Sequence, residues 1–471
     1  MPSAIAVAVS AVTTYIGGIT WSGLAVGALQ TFALGAASRA LAPKPKSLSA
    51  PTITNREIRV QNSIAGQQLV FGSAKVAGTL LYVEVNNNKQ DLHIIIGLAS
   101  NKQRVYGMYI GDEGITNIDA HGYGSLITIN PTYNGKLKVL AMQGDDDQTL
   151  PADILNNTAL TADDRFRGIA YVYIRMTYDS NLFPSGIPQF VFDVSSDLVD
   201  TPFLGVGATQ YPNNPSVALY EYLTNARYGL SVPESEIDLQ SFSDTFDFDW
   251  SSGFKSNGII DLTRSPAENI QDLLSSNSAW LTYTGGKFSL IPNAPSSLGI
   301  DRPWRFIAKH FIKPSDIVGG FEMQSDVAAS DKFNTVTALY IEPDRNYQPY
   351  ETPRLQYAPY LAEDNGVVNE AEISLPFTID YDSAQVLAFI EMVNARRKPR
   401  MSIQVNLKGC FIDVGDLIIL DLSSIGLEDD MLFEVITWNL MPSENGNIVR
   451  LDLIGGTRYV NPASVPITPI D

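Results

Sequence analysis

The first 38 residues contain no side chain charged at neutral pH, which limits where this end of the chain can reside. After Met-Pro the sequence reads SAIAVAVSAVTTYIGGITWSGLAVGALQTFALGAAS, and charge first appears at Arg39, then at Lys44 and Lys46 beside Pro43 and Pro45. A bilayer-spanning helix needs ~20 apolar residues, so the length suffices. The composition suits a membrane less well, because Ala, Gly, Ser and Thr supply most of the stretch and gain little on leaving water. Gly17-Gly18 interrupts it, at roughly 1 kcal/mol per glycine relative to alanine in a helix. No basic region precedes the apolar run, as a secretory signal requires. Gly23 and Gly27 form a GxxxG, the spacing that lets helices approach closely, though glycine is frequent throughout the stretch.

Three fates stay open for this leader: a membrane anchor, a loose or cleaved tail, and an apolar segment packed inside an oligomer. Small side chains favour the third, with Trp21, Gly23, Leu24, Gly27, Leu29 and Phe32 as the expected axial packing residues. The Pro-Lys-Pro-Lys stretch that follows reads as a stiff, solvated linker, so residues 1–46 stand apart from the folded body.

The body is long enough for about three domains. Its 45% hydrophobic content excludes wholesale disorder. Net charge is −19, from 51 acidic and 32 basic residues, which argues against a surface built to grip nucleic acid. An acidic wall repels phosphate and so is compatible with DNA in transit. Cys410 is the single cysteine, which excludes an intrachain disulfide framework or thiolate metal site.

From Glu57 onward short strands dominate. QQLVFGSAKVAGTLLYVEV (67–85) holds two β-rich runs punctuated by Gly72 and Gly78, and DLHIIIGLA (91–99) has the continuous apolar character of a buried strand. RVYGMYIGDEGI (104–115) contains a turn signal, and GIAYVYIRMTYD (168–179) alternates as a strand does. The stretch from about 116 to 165 is polar and turn-rich.

Three helices are expected. Asn214 and Pro215 supply a cap and first position for a helix burying Val217, Leu219, Tyr220 and Leu223 and ending at Gly229. Ser265 and Glu268 form a capping box for a second, which leads to a hairpin turned at Gly285-Gly286. The third carries Val386, Leu387, Ile390 and Val393 on one face, with Arg396, Arg397 and Lys398 at the end that attracts positive charge. Four strand-like runs follow, so helix-then-strands occurs twice and an α+β class is expected.

Signals for chemistry are weak. His93, His121 and His310 are the only histidines, and no zinc-protease, CxxC, nucleophile-elbow or P-loop motif occurs. His93 reads as a satisfied core imidazole and His121 as a surface residue. SDTFDFDW, with Asp244, Asp247 and Asp249, and GDDDQ, with Asp145, Asp146 and Asp147, lack calcium-loop spacing and read as solvated loops. No catalytic residue, cofactor site or metal site is assigned. A carboxylate pair of the glycosidase kind is not excluded by sequence.

Several stretches, in order, resemble the central tail hub, or tip attachment protein, of bacteriophages with long non-contractile tails. They are QQLVFGSAKVAGTLLYVE, DLHIIIGLA, GMYIGDEGI, NPSVALYEYLTNARYGLSVPESEIDLQSF, NGIIDLTRSPAENIQDLLSSNSAWLTYTGGKFSLIPNA, DKFNTVTALYIEP and VGDLIILDL. They run from about 55 to 460. The resemblance implies a mainly β, α+β protein with two tube-type split β-barrel hub domains and inserted or peripheral α+β domains, assembled as a trimeric ring. It implies a first hub domain from 50–90 and 166–205, an inserted β domain at 91–165, a peripheral α+β domain at 206–320, a second hub domain at 321–462, and a tail at 463–471.

The implied partners are two further copies of the chain, the distal tail and other tip proteins, the tape measure protein, and a separate fibre or receptor-binding protein. DNA would be in transit only, and the host membrane would be met during ejection. Two rival readings are a membrane-anchored surface or secretion protein, which the leader would explain, and a cell-wall hydrolase of the tail tip.

Overall fold

The computed structural model describes residues 67–455, apart from 87–89, 112, 117, 119–123, 130–132, 134, 178, 180, 184–186, 293–309, 329–330, 422–431 and 443–446. The leader, His121 and the tail at 463–471 therefore lie outside the described residues.

The first unit comprises β1 (Gln68–Phe71), β2 (Ser73–Val76), β3 (Thr79–Asn86), β4 (Asp91–Ala99), β5 (Gln103–Ile110) and β6 (Glu113–Thr116). It continues with β7 (Ile127–Thr128), β8 (Leu137–Met142), α1 (Ala152–Asn157), β9 (Ala170–Thr177) and β10 (Phe190–Ser196). The stretch 67–85 holds three strands rather than two runs, because Gly72 and Gly78 take left-handed φ of 61° and 72° and redirect the chain twice. Strand order β3-β4-β9-β8-β7 forms one sheet and β2-β10-β5-β6 another. Between them pack Ile94, Ile96, Val172 and Ile174 from the first and Val105, Met108, Phe192 and Val194 from the second. The alternate residues Ile95, Leu140, Tyr171 and Tyr173 face the other way, against Leu150 and Ile154 of the α1 segment. Both faces of β4 and β9 are thus covered, which explains why β9 is almost continuously buried where its sequence alternates.

This pairing corrects a boundary. Residues 91–165 are not a separate inserted domain: β4 pairs with β3 and β9, and β5 pairs with β10, all around one core. Sheet pairing is non-local, so a polar, turn-rich stretch can be a loop within a sheet system as well as a border between domains.

The second unit contains β11 (Val199–Asp200), β12 (Thr209–Gln210), α2 (Pro215–Thr224), α3 (Leu239–Ser252), β13 (Gly258–Asp261), α4 (Pro266–Leu274), β14 (Trp280–Thr284) and β15 (Lys287–Ile291). Asn214 caps α2 by accepting from the amides of Ser216 and Val217, with Pro215 just inside. The helix ends at Thr224, short of the expected Gly229, whose amide instead donates to the Asn225 carbonyl in the turn that follows. The Ser265–Glu268 capping box starts α4, and Gly285 and Gly286, at φ 60° and 82°, turn the β14–β15 hairpin. SDTFDFDW is helical, not a solvated loop: Phe242 and Phe246, four residues apart, face the unit's core while Phe248 faces the next one. The alternating Phe and Asp hide this helical period from a reader of sequence. β1 leaves the sandwich to pair with β13, and Leu69 and Phe71 join this second core.

The third unit begins with β16 (His310–Ile312), β17 (Glu322–Gln324), β18 (Thr335–Glu342), β19 (Gln348–Glu351), β20 (Leu355–Gln356), α5 (Ala358–Glu363), β21 (Glu370–Ser374) and α6 (Tyr381–Ala395). β22 (Arg400–Val405), β23 (Leu417–Leu420), β24 (Leu432–Met441) and β25 (Ile448–Gly455) complete it. Asp380 caps α6 through the Ser383 amide, and the helix packs on β18 around Val336, Ala338, Leu387 and Ile390. A six-stranded sheet, β16-β23-β24-β25-β22-β17, encloses a separate core of Ile403, Ile418, Val435 and Leu451. The segment 321–462 thus holds two cores rather than one domain, and a border at 320 cuts β16 from its parallel partner β23. Strand exceeds helix, 39% to 23%, which makes the class α+β and mainly β. Among the described residues no sheet closes on itself, and the first core lies between two open sheets.

Candidate functional site

His93, His310 and the acidic runs resolve into structural roles. His93 Nδ1 lies 2.8 Å from the Tyr173 hydroxyl and Nε2 lies 2.8 Å from Asn86 Oδ1. Burial, aided by nearby Arg175, holds this imidazole below its ordinary range, so it is a neutral, satisfied core group. His310 Nε2 lies 3.8 Å from Asp416 Oδ2 at the edge of the six-stranded sheet. Asp145 pairs with Lys102 at 2.8 Å in an exposed turn. Among the described residues, no three His, Cys, Asp or Glu side chains are placed to hold a metal ion.

Two ionic clusters fasten the fold, one between units and one within the third unit. On the sheet of β2, β5 and β10, the Lys75 ammonium sits 3.6 Å from the Tyr109 ring centroid and 3.1 Å from Asn346 Oδ1. Burial pushes the neighbouring Asp193 carboxyl up, and Lys75 and Tyr109 pull it back. Gly107 is paired with Asp193 across the strands, where an added Cβ would come within 2.9 Å of Asp193 Oδ2. Tyr106 of the same sheet bonds to Tyr347, beside Asn346 in the turn between β18 and β19. This cluster joins the sandwich to the third unit.

The second cluster lies at the end of α6. Arg396 Nε donates to the Phe333 carbonyl at 2.8 Å, and its guanidinium pairs with Asp364 and Glu363. Arg397 pairs with Glu434 at 2.8 Å, both side chains 4% exposed. These arginines are buried clamps rather than solvated charges facing a helix dipole, because α5 and β24 fold over the helix end and exclude water. Lys398, by contrast, remains half exposed and pairs with Asp326 at 3.2 Å.

Exposed apolar residues mark the surface with most capacity for function. Phe311, Val318, Phe321, Met323, Leu407, Phe411 and Leu440 are all exposed, and all belong to the unit of the six-stranded sheet. β16 and β17, which carry Phe311 and Met323, are the two edges of that sheet. An edge strand presents unpaired backbone groups, and apolar side chains beside it attract a further surface. Leu81, Val83 and Val85 repeat the pattern on β3, an edge of the five-stranded sheet. Sequence reading missed this surface, since only strand order reveals which strands lie outermost.

The expected axial residues Trp21, Gly23, Leu24, Gly27, Leu29 and Phe32 lie outside the described residues, so the structure brings none of them to this surface. No helix among the described residues is long and apolar enough to cross a membrane.

No protein-family model matches the chain, and no curated protein does. Solved structures do. A chain from the virion of a native gene transfer agent particle is 16% identical, with a TM-score of 0.60 and complete coverage of both chains. At that identity the likeness is one of fold. The 43 kDa tail protein of prophage MuSo2 from Shewanella oneidensis is 9% identical over 86% of this chain and 96% of its own, with a TM-score of 0.30. A tail protein from Neisseria meningitidis MC58 is 9% identical over 83% and 97%, with a TM-score of 0.31. Those two scores are too low to carry an argument.

Proposed function

We propose that this chain is a non-enzymatic structural protein of a phage-type virion, the central hub at the distal end of its tail, assembled as a homotrimer. The observation that carries the reading is the end-to-end sharing of fold with a virion chain. In a trimer, the sandwich and the six-stranded sheet of each chain alternate around the tail axis and form the ejection channel. The open edges β16, β17 and β3 then meet neighbouring copies and other tip proteins, which accounts for their exposed apolar residues. Net charge of −19 per chain, tripled in the ring, lets DNA pass without holding it.

The leader gathers near the axis, with Gly23 and Gly27 allowing close approach, and plugs the lumen or touches the tape measure protein. It meets the host membrane when the tip opens, and a separate fibre protein supplies receptor binding. Electron microscopy of the full-length chain tests the assembly: three-fold rings are expected, and single copies at assembly concentrations would overturn it. Leu24→Glu with Val26→Lys is expected to impair tail assembly or DNA delivery, while normal infectivity would remove the axial role of the leader.

A further inference from the structure

The segment joining α3 to β13 touches all three units. Ser256 N donates to the Asn213 carbonyl at 2.7 Å, Asn257 N to the Phe377 carbonyl at 2.7 Å, and Asn257 Oδ1 accepts from Ser73 N at 2.9 Å. At the entry to this segment stands Asp249, in the last turn of α3 and 0% exposed. The Phe254 amide donates to its backbone carbonyl at 3.0 Å. Its carboxylate gathers three donors: Ser216 Oγ at 2.5 Å and Ser216 N at 3.2 Å on Oδ2, and Asn277 Nδ2 at 3.0 Å on Oδ1. Ser216 opens α2, and Asn277 lies in the turn after α4. The next residue, Ser278, holds a left-handed φ of 54° and donates from Oγ to Glu391 Oε1 of α6 at 2.7 Å. One side chain therefore ties α3 to α2 and to a turn that is itself latched to the third unit.

Every hydrogen-bond partner of this carboxylate is neutral. The charged side chains of the elements packed with it are Asp244 and Asp247 on α3, Lys255 in the segment that follows and Glu391 beyond Ser278 on α6, and none of them is among the groups that move its titration. The first turn of α2 and the turn 275–279 contribute none. A buried charge without a counter-ion is costly. The neutral acid fits the same geometry, its hydroxyl donating to Ser216 Oγ while Oδ1 still accepts from Asn277. Consistent with this, burial pushes the group up to about 7 against the pull of its three donors.

We propose that Asp249 is a protonation-controlled joint. Neutral, it holds α2, α3 and the turn 275–279 together; ionised, it loosens that turn and the Ser278–Glu391 latch, so the second and third units move more freely. The direction follows from linkage. A carboxyl raised in the folded state contributes stability that is complete below its unfolded value and is lost as pH rises through about 7. Release thus lies on the alkaline side of neutrality.

The test uses the full-length chain and its Asp249→Asn variant at about pH 6 and about pH 8, on either side of the carboxyl's own value. Infrared difference spectra are expected to show a protonated carboxylic acid band in the wild type at the lower pH, lost at the higher pH and missing from the variant. Hydrogen exchange across 275–281, corrected for intrinsic chemistry, is expected to rise severalfold with pH in the wild type and to stay level in the variant, while β4 and β9 stay level in both. No acid band in the wild type, or the same rise in both proteins, overturns the joint. If the variant fails to fold, the wild-type infrared titration alone decides.

Discussion

In the sandwich, β4 and β9 are covered on both faces, with Ile94 and Ile174 in the inter-sheet core and Ile95 and Tyr173 against the α1 segment. The six-stranded sheet has one main core and only a small second cluster, Ile436 and Ile454 against Trp280, and around it Phe311, Met323 and Phe411 stay 43%, 43% and 77% exposed. One chain alone satisfies the first arrangement, except along the edge strand β3, where Leu81, Val83 and Val85 stay exposed. The second keeps apolar surface at both edges, where a neighbour in the proposed ring would remove it from water at about 25 cal/mol per Å². The two sheet systems also differ in how charge is buried. Lys75 and Asp193 lie part-exposed on the sandwich, whereas Arg397 and Glu434 are sealed between α6 and β24.

Substitutions can break or sharpen this contrast. The largest effect is expected for Phe192→Ala, which opens a cavity between the two sandwich sheets and costs about 3–5 kcal/mol. Denaturant unfolding followed by tryptophan fluorescence measures it, and a loss below 1 kcal/mol would contradict a dense two-sheet core. Next comes Arg397→Met, which removes the ion pair of a buried Glu434 and costs about 3 kcal/mol. Adding Glu434→Leu should recover most of that loss, since an apolar pair of similar size is tolerated where a lone charge is not. The smallest effect on subunit stability belongs to Phe411→Ser with Met323→Ser, within about 0.5 kcal/mol because both side chains are exposed. Their consequence should appear in association instead, as loss of the proposed trimer in sedimentation velocity. Unchanged association would separate the exposed apolar edges from assembly and erase the contrast drawn above.

Much of the local structure was legible in the residues. The Asn214-Pro215 start, the Ser265–Glu268 capping box and the Gly285-Gly286 hairpin each satisfy their hydrogen bonds within a few neighbours, so their signatures survive any tertiary context. His93 was legible as a core group for a similar reason, lying in an unbroken apolar run. α3 was not, because its Phe and Asp residues alternate at a period that masks its helical faces. Asp249 was not either. Its partners, Ser216 and Asn277, stand 33 residues before it and 28 after it, a separation that no spacing rule spans.

The sequence by itself determined the caps, the hairpin turn, the abundance of short strands and the uncharged, apolar character of the leader. Tertiary structure alone decided which strands share a sheet, that β1 crosses to β13 and β16 to β23, and that Arg396 and Arg397 are clamps rather than surface charges. The reason is the range of the forces involved. Caps and turns are closed by hydrogen bonds a few residues long, whereas strand order and the burial of charge depend on surfaces that meet only after the whole chain has packed.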